Sequence, residues 1–191
     1  MKELRIILLI PIIVLSACQQ SAMDKYHSLV KKELASNKKV NDIFFGISLG
    51  MTNKEFFLHC WNLNKQGMFT DGLNNTSVEY KLDKELKHPA RMNFYPEFND
   101  GRINKMWARF QYRGWMPWNK ALSSDSLLPD VLKLYQKWYP TGNPFIRIED
   151  KTKGTLYVKV DGNRRIILGR YDDADVKADY TDLSNEQEQK K

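Results

Sequence analysis

LYVKVDGNRRIILGRY, residues 156–171, decides the fold class. Leu156, Val158 and Val160 alternate with Tyr157 and Lys159, the period-two pattern of a strand with one face buried. Asp161-Gly162-Asn163 turns the chain, and Arg165 to Tyr171 returns. Two such runs around a glycine-containing turn predict a β-hairpin. Val176, Ala178 and Tyr180 predict a strand after it, and Phe145 to Ile148 one before it.

Further back, Leu127 to Tyr139 carries Leu128, Val131, Leu132, Tyr135 and Trp138 at helical spacing. Pro129 is read as falling in the first turn, where its missing N–H costs nothing, and Pro140 and Gly142 end the helix. Gly114 to Ser126 is irregular. Before it, Asn99-Asp100-Gly101 is a turn between a strand carrying Met92 and Phe94 and a long strand from Ile103 to Arg113. Val78, Tyr80 and Leu82 mark another strand, and Met68 to Thr76 reads as a loop. Thr52 and Glu55 form a T-x-x-E capping box opening a helix over 53–66 that Gly67 stops. Its expected buried stripe is Phe56, Phe57, Cys60, Trp61 and Leu63. Ile43, Phe45, Ile47 and Leu49 alternate as in a strand. Asp24 to Ala35 is expected to be a short amphipathic helix, and 184–191 a polar, disordered tail.

Helices separated by runs of strands predict an α+β fold, with two main helices packed on one face of antiparallel sheet. A helix followed by antiparallel strands occurs twice, within 43–113 and 127–183, so two tandem units and a single sheet carrying both helices are both allowed. Gly46-Ile47-Ser48-Leu49-Gly50-Met51-Thr52, ahead of a capped helix, resembles the opening of the repeat in β-lactamase-inhibitor proteins and small outer-membrane assembly lipoproteins. That resemblance implies tandem helix-plus-sheet units.

The chain opens with Lys2 and Arg5, then an apolar run from Ile6 to Leu15. This run is half the roughly 20 residues a spanning helix needs, so it reads as an export signal rather than an anchor. Leu15-Ser16-Ala17-Cys18 then resembles the bacterial lipobox at all four positions. The resemblance implies that residues 1–17 are a lipoprotein signal peptide cut before Cys18. It also implies that the Cys18 sulfur carries a diacylglyceryl group and that the new amine is acylated, as by palmitate. Two or three acyl chains anchor stably where one does not. Gln19, in place of the Asp that retains some lipoproteins in the inner membrane, favours the outer membrane of a cell envelope. Residues 18–42 are then a lipid-anchored tether and short basic helix, and 43–183 the α+β domain.

The net charge of +7 becomes +6 once Lys2, Arg5 and Glu3 leave with the leader. Lys25, Lys31, Lys32, Lys38 and Lys39 cluster near the anchor, where they either touch anionic headgroups or form a solvated helix face. With Cys18 consumed by lipid, Cys60 has no partner in the chain and is expected to be a small buried hydrophobe.

His27, His59 and His88 sit in unrelated segments, and no nucleophile elbow, zinc-binding helix, Walker loop or Cys-x-x-Cys pair is present. No enzyme activity and no cofactor are expected. Asp172, Asp173, Asp175 and Asp179 lack the glycine turn of a calcium loop and read as a solvated turn, so no metal is expected. Asp125-Ser126-Leu127 resembles a three-residue O-glycosylation signal, and is more simply a helix cap.

One ligand face is expected. In the strand 103–113, Met106, Ala108, Phe110 and Tyr112 alternate with Lys105, Trp107, Arg109, Gln111 and Arg113, and Trp115 and Trp118 follow. Arginine among exposed aromatics stacks on sugars or on a partner's side chains. Trp107, Arg109, Arg113, Trp115 and Trp118 are therefore the candidate contacts for an envelope protein or a surface glycan, while a buried position for the tryptophans would leave the arginines merely facing solvent. Nucleic acid is not expected as a partner of an exported lipoprotein. The reading from sequence is an envelope-assembly or protein-binding lipoprotein, with a glycan binder and a hydrolase of unrecognised site as alternatives.

Overall fold

The computed structural model describes residues 21–72 and 76–188. The expected leader, the lipobox-like residues 15–18 with Cys18, part of the 68–76 connection and residues 189–191 lie outside them.

The elements in chain order are α1 (Ala22–Ala35), α2 (Asn53–Lys65), β1 (Phe69–Asp71), β2 (Val78–Leu82), β3 (Ala90–Asn99) and β4 (Arg102–Tyr112). Then come α3 (Ser124–Trp138), β5 (Ile146–Asp150), β6 (Gly154–Asp161), β7 (Arg164–Arg170), β8 (Asp175–Asp182) and α4 (Leu183–Glu188). All eight strands join one antiparallel sheet in the order β1-β2-β3-β4-β8-β7-β6-β5. The fold is α+β. Each half is a helix followed by a four-strand meander: α2 precedes β1–β4, and α3 precedes β5–β8. The halves meet where Lys105–Gln111 of β4 pairs with Thr181–Asp175 of β8. The two arrangements left open by the sequence are thus one arrangement, since the tandem units share a sheet.

Local chemistry explains the hairpins. At 161–164 only Gly162 has positive φ, +55°, as a two-residue turn with glycine at its first central position requires. A Cβ there would also run into the Lys38 carbonyl. At 99–102 Asp100 and Gly101 take φ of +49° and +71°, the twisted two-residue turn that Asp-Gly favours. The Thr52–Glu55 capping box is formed, and Gly67 ends the following turn at φ +73°.

The main core lies between the sheet and α2 and α3. Met92, Phe94, Met106, Ala108, Phe110, Ile166, Leu168, Val176, Ala178 and Tyr180 face Phe56 and Cys60 of α2 and Leu127, Leu128, Val131, Leu134 and Tyr135 of α3. A smaller cluster occupies the opposite face, where α1 lays Tyr26, Leu29, Val30 and Leu34 on Ile146, Ile148, Val158, Val160 and Ile167. Ser21 caps α1 by accepting the Asp24 N–H.

Several sequence expectations are corrected. Residues 43–49 are not a strand. Phe45 and Gly46 have φ of +51° and +79°, the Ile47 N–H donates to the Phe44 carbonyl and the Ile43 N–H to the Ile47 carbonyl, so the segment is a tight loop. It wedges Ile43, Phe44, Ile47 and Leu49 into the core, both parities together, which no half-buried strand does. On α2, Phe57 and Trp61 are half exposed rather than buried, because each lies about 100° round the helix from Phe56 or Cys60. Phe69–Asp71 is a short edge strand within the expected loop. Pro129 sits in the second turn of α3; the helical bond it cannot make belongs to the carbonyl of exposed Asp125. Residues 183–188 are helical rather than a disordered tail, with Leu183 buried against the α1 cluster.

Beneath the 161–164 turn lies a buried ionic knot. Asp161 pairs with Lys159 and Arg164, each at 3.1 Å, and its other oxygen accepts the Asn143 N–H at 2.8 Å. Lys159 also donates to the carbonyls of Thr141 and Asn143, and Arg164 to that of Asp42. Two segments far apart in sequence, at Asp42 and at Thr141–Asn143, are thus tied to one hairpin.

Candidate interaction face

Pairing across β3, β4, β8 and β7 builds the surface that the two main helices leave open. With Met106, Ala108, Phe110 and Tyr112 turned into the core, Lys105, Trp107, Arg109 and Gln111 point to the other side, half exposed. Register aligns Tyr95, Trp107, Asp179 and Ile167 in one rung. The next rung holds Asn93, Arg109, Lys177 and Gly169, and the next Arg91, Gln111 and Asp175. Helix α1 borders this face over β5 and β6, and on the far side the Ser77 hydroxyl reaches Asn93.

The side chains are fixed by one another. The Gln111 amide donates to Asp175 at 2.8 Å and its oxygen accepts from Arg91. Arg109 reaches Asp175 at 3.9 Å and lies 3.6 Å from the centroid of the Tyr171 ring. Burial and neighbouring Asp172 raise the Asp175 pKa, while Arg109 and the Gln111 hydrogen bond pull it down. Lys177 and Asp179 pair at 2.7 Å. A groove of about 330 Å³ crosses the face beside Ile167, Tyr171, Lys177 and Asp179.

The sequence-predicted contacts divide in two. Trp107 and Arg109 are neighbours on the sheet face. Arg113 lies past the end of β4, paired with Asp83 at 3.1 Å, and Trp115 and Trp118 belong to the connection after it. Trp115 is half-buried and Trp118 is 79% exposed. Among the described residues no ring contact joins either to Trp107. Tyr95, Tyr171, Asp175, Lys177 and Asp179 complete the face and were missed as site residues, because only strand register brings them beside Trp107 and Arg109.

The histidines lie apart. His27 packs beside the Tyr26 ring, His59 Nε2 is 2.7 Å from the Phe45 carbonyl, and His88 stands edge-on to Tyr112. Of the acidic cluster, Asp172 accepts the Ala174 and Asp175 N–H groups, Asp173 faces Arg170, Asp175 faces Arg109 and Asp179 pairs with Lys177. Among the described residues no group of three or more His, Cys, Asp or Glu is placed to hold a metal ion. Asp125 and Ser126 do not cap α3 but lie in its first turn, because the helix starts at Ser124 after Ser123; Asp125 pairs with Arg170, and the Ser126 hydroxyl donates to the Lys120 carbonyl. Cys60 is buried, which pushes its thiol up to about 12.

A second cleft, about 440 Å³, lies between the 43–47 loop and residues 138–142 and is floored by the ionic knot at Asp161 and Arg164. No helix among the described residues is long and apolar enough to cross a membrane. No family model, curated protein or solved structure matches the chain.

Proposed function

We propose that this chain is a cell-envelope lipoprotein, anchored through lipid on Cys18, that binds another envelope protein with its open sheet face. The observation that carries the binding half is the Arg91–Gln111–Asp175–Arg109–Tyr171 chain of contacts beside Trp107. Tryptophan, tyrosine and arginine dominate binding energy at protein interfaces, and side chains already held in place lose little entropy on docking. The anchoring half rests on the lipobox-like Leu15-Ser16-Ala17-Cys18 after a short apolar leader.

A photo-crosslinker at Trp107 in cells, followed by mass spectrometry, tests the binding. A specific envelope protein is expected, and recovery of none would sink the proposal. Cys18→Ala tests the anchor: the protein should leave the membrane fraction or stall in processing, and unchanged anchoring of a mature chain would refute it.

Trp118, 79% exposed, supports a second reading, a glycan platform at the end of β4. Envelope polysaccharide should then shift tryptophan fluorescence in the wild type and not in Trp118→Ala.

A further inference from the structure

Helix α1 lies on the same side of the sheet as Trp107. Val158 pairs with Ile167, Ile167 with Asp179, and Asp179 with Trp107, and paired residues share a face. Since α1 packs on Val158 and Ile167, its outer surface and the Trp107 face look the same way. That outer surface is basic. Lys25, Lys31 and Lys32 are exposed on α1, and Lys38 and Lys39 are exposed just after it. None of the five forms an ion pair among the described residues, although Lys39 donates to the Ser184 hydroxyl at 2.9 Å, so Lys25, Lys31 and Lys32 define the outer surface of α1. The acidic residues of this segment do little to offset them. Glu33 turns inward, accepting the Gly162 N–H at 2.7 Å and the Asn143 amide at 3.0 Å. Only Asp24 shares the outer surface, and it is engaged by the Ser21 hydroxyl at 2.6 Å.

We propose that the outer face of α1 docks on the anionic headgroups of the membrane that holds the chain, turning the Trp107 face towards the bilayer and α2 and α3 away. This rests on the anchoring through Cys18 proposed above. Cys18 precedes Ser21 by three residues, so an extended chain keeps the start of α1 within about 11 Å of the acylated sulfur. That is about one Debye length at physiological salt, so the basic side chains of α1 stay within reach of the surface potential of anionic lipid and gain more of it as the helix settles on the surface. A helix is about 10 Å across, so the Trp107 face then stands roughly one helix diameter above the headgroups, open to a partner lying at the membrane surface. Lysines that merely solvate a helix face give no such orientation.

Acrylamide quenching of a thiol-linked fluorophore on Ala35→Cys, an exposed site on the outer arc of α1, reads the docking. Buried Cys60 does not compete for the label. The mature protein is purified from membranes, its acyl chains are weighed by intact mass, and it is placed in phosphatidylcholine vesicles with or without phosphatidylglycerol. Quenching is expected to fall several-fold with the anionic lipid. It should return in high salt or with Lys25→Glu, Lys31→Glu and Lys32→Glu together, while a label on Lys133→Cys of α3 stays quenched throughout. Equal quenching of the Ala35→Cys label in both vesicles overturns the docking and leaves the lysines to solvent or an acidic protein. Missing acyl chains overturn the anchor instead; the same labelled protein added to preformed vesicles then still decides the docking.

Discussion

The guanidinium carbon of Arg109 lies 3.6 Å from the centroid of the Tyr171 ring, and the same side chain reaches Asp175 at 3.9 Å. Arg109 is on β4 and Tyr171 follows β7, so the contact spans the junction of the two sheet halves. It holds a cation over an aromatic face on the surface proposed to bind a partner, where such a pair is worth about 0.5–1 kcal/mol.

Arg109→Ala and Trp107→Ala should therefore weaken partner binding far more than they weaken folding. Each is expected to cost about 2 kcal/mol or more of binding, roughly a 30-fold rise in Kd. For Arg109→Ala folding stability should change by under about 1 kcal/mol, because the Arg109 side chain is about a third exposed and its 3.9 Å pair with Asp175 is screened. Titration of the partner identified by crosslinking, beside thermal melts of both variants, checks this.

Asp161→Ala should behave in the opposite way. It leaves Lys159 and Arg164 buried without their carboxylate, and breaking a buried pair from one side costs about 3–5 kcal/mol. Urea unfolding should show a large drop in midpoint, with Trp107-face binding preserved wherever the protein remains folded.

Alkaline stability should report Cys60. Its thiol is pushed up to about 12 in the folded chain by burial, against about 8.5 in an unfolded one. The folded state then keeps a proton that the unfolded state releases. The stabilisation is fully present below the unfolded value and is lost as pH rises towards 12, by about 1.4 kcal/mol per pH unit. Buried Tyr112, Tyr135, Tyr139 and Tyr180 have pKa values raised by burial and steepen the loss above about pH 10. Urea unfolding between pH 8.5 and 10 should lose its slope in Cys60→Ala.

Thr52→Ala removes the cap of α2 and should cost about 1 kcal/mol at neutral pH. The Thr52 N–H and hydroxyl hold the Glu55 carboxyl below its usual range. That part of the stability is present above the usual carboxylate pKa and fades as pH falls through the lowered one. In acid titrations the stability gap between wild type and variant should narrow as Glu55 is protonated, leaving the part due to the Thr52 hydroxyl that accepts the Glu55 N–H.

The readable parts of the fold were those set by neighbours in sequence. Asp100-Gly101 and Gly162 impose their turns through backbone sterics, and Thr52 and Glu55 satisfy donors one turn away. The alternation of Met106, Ala108, Phe110 and Tyr112 gave the right face of β4, and with it Trp107 and Arg109. The 43–49 segment was misread because an apolar run in a wedged loop has the same spacing as a strand, and only the positive φ of Phe45 and Gly46 distinguishes them. Phe57 and Trp61 were misread because hydrophobicity does not say how wide a stripe the neighbouring strands can cover.

Sequence alone thus determined the fold class, the hairpins, the Thr52–Glu55 cap of α2 and the basic character of the segment ending at Lys39, all of which depend on interactions within a few residues. Tertiary structure decided that β4 pairs with β8, that the two units share one sheet, that α1 lies on the side of Trp107, and that Tyr171 and Asp175 flank Arg109. These depend on which strand edges meet across some 70 residues of chain, where loop-closure entropy and burial compete and no local pattern states the outcome.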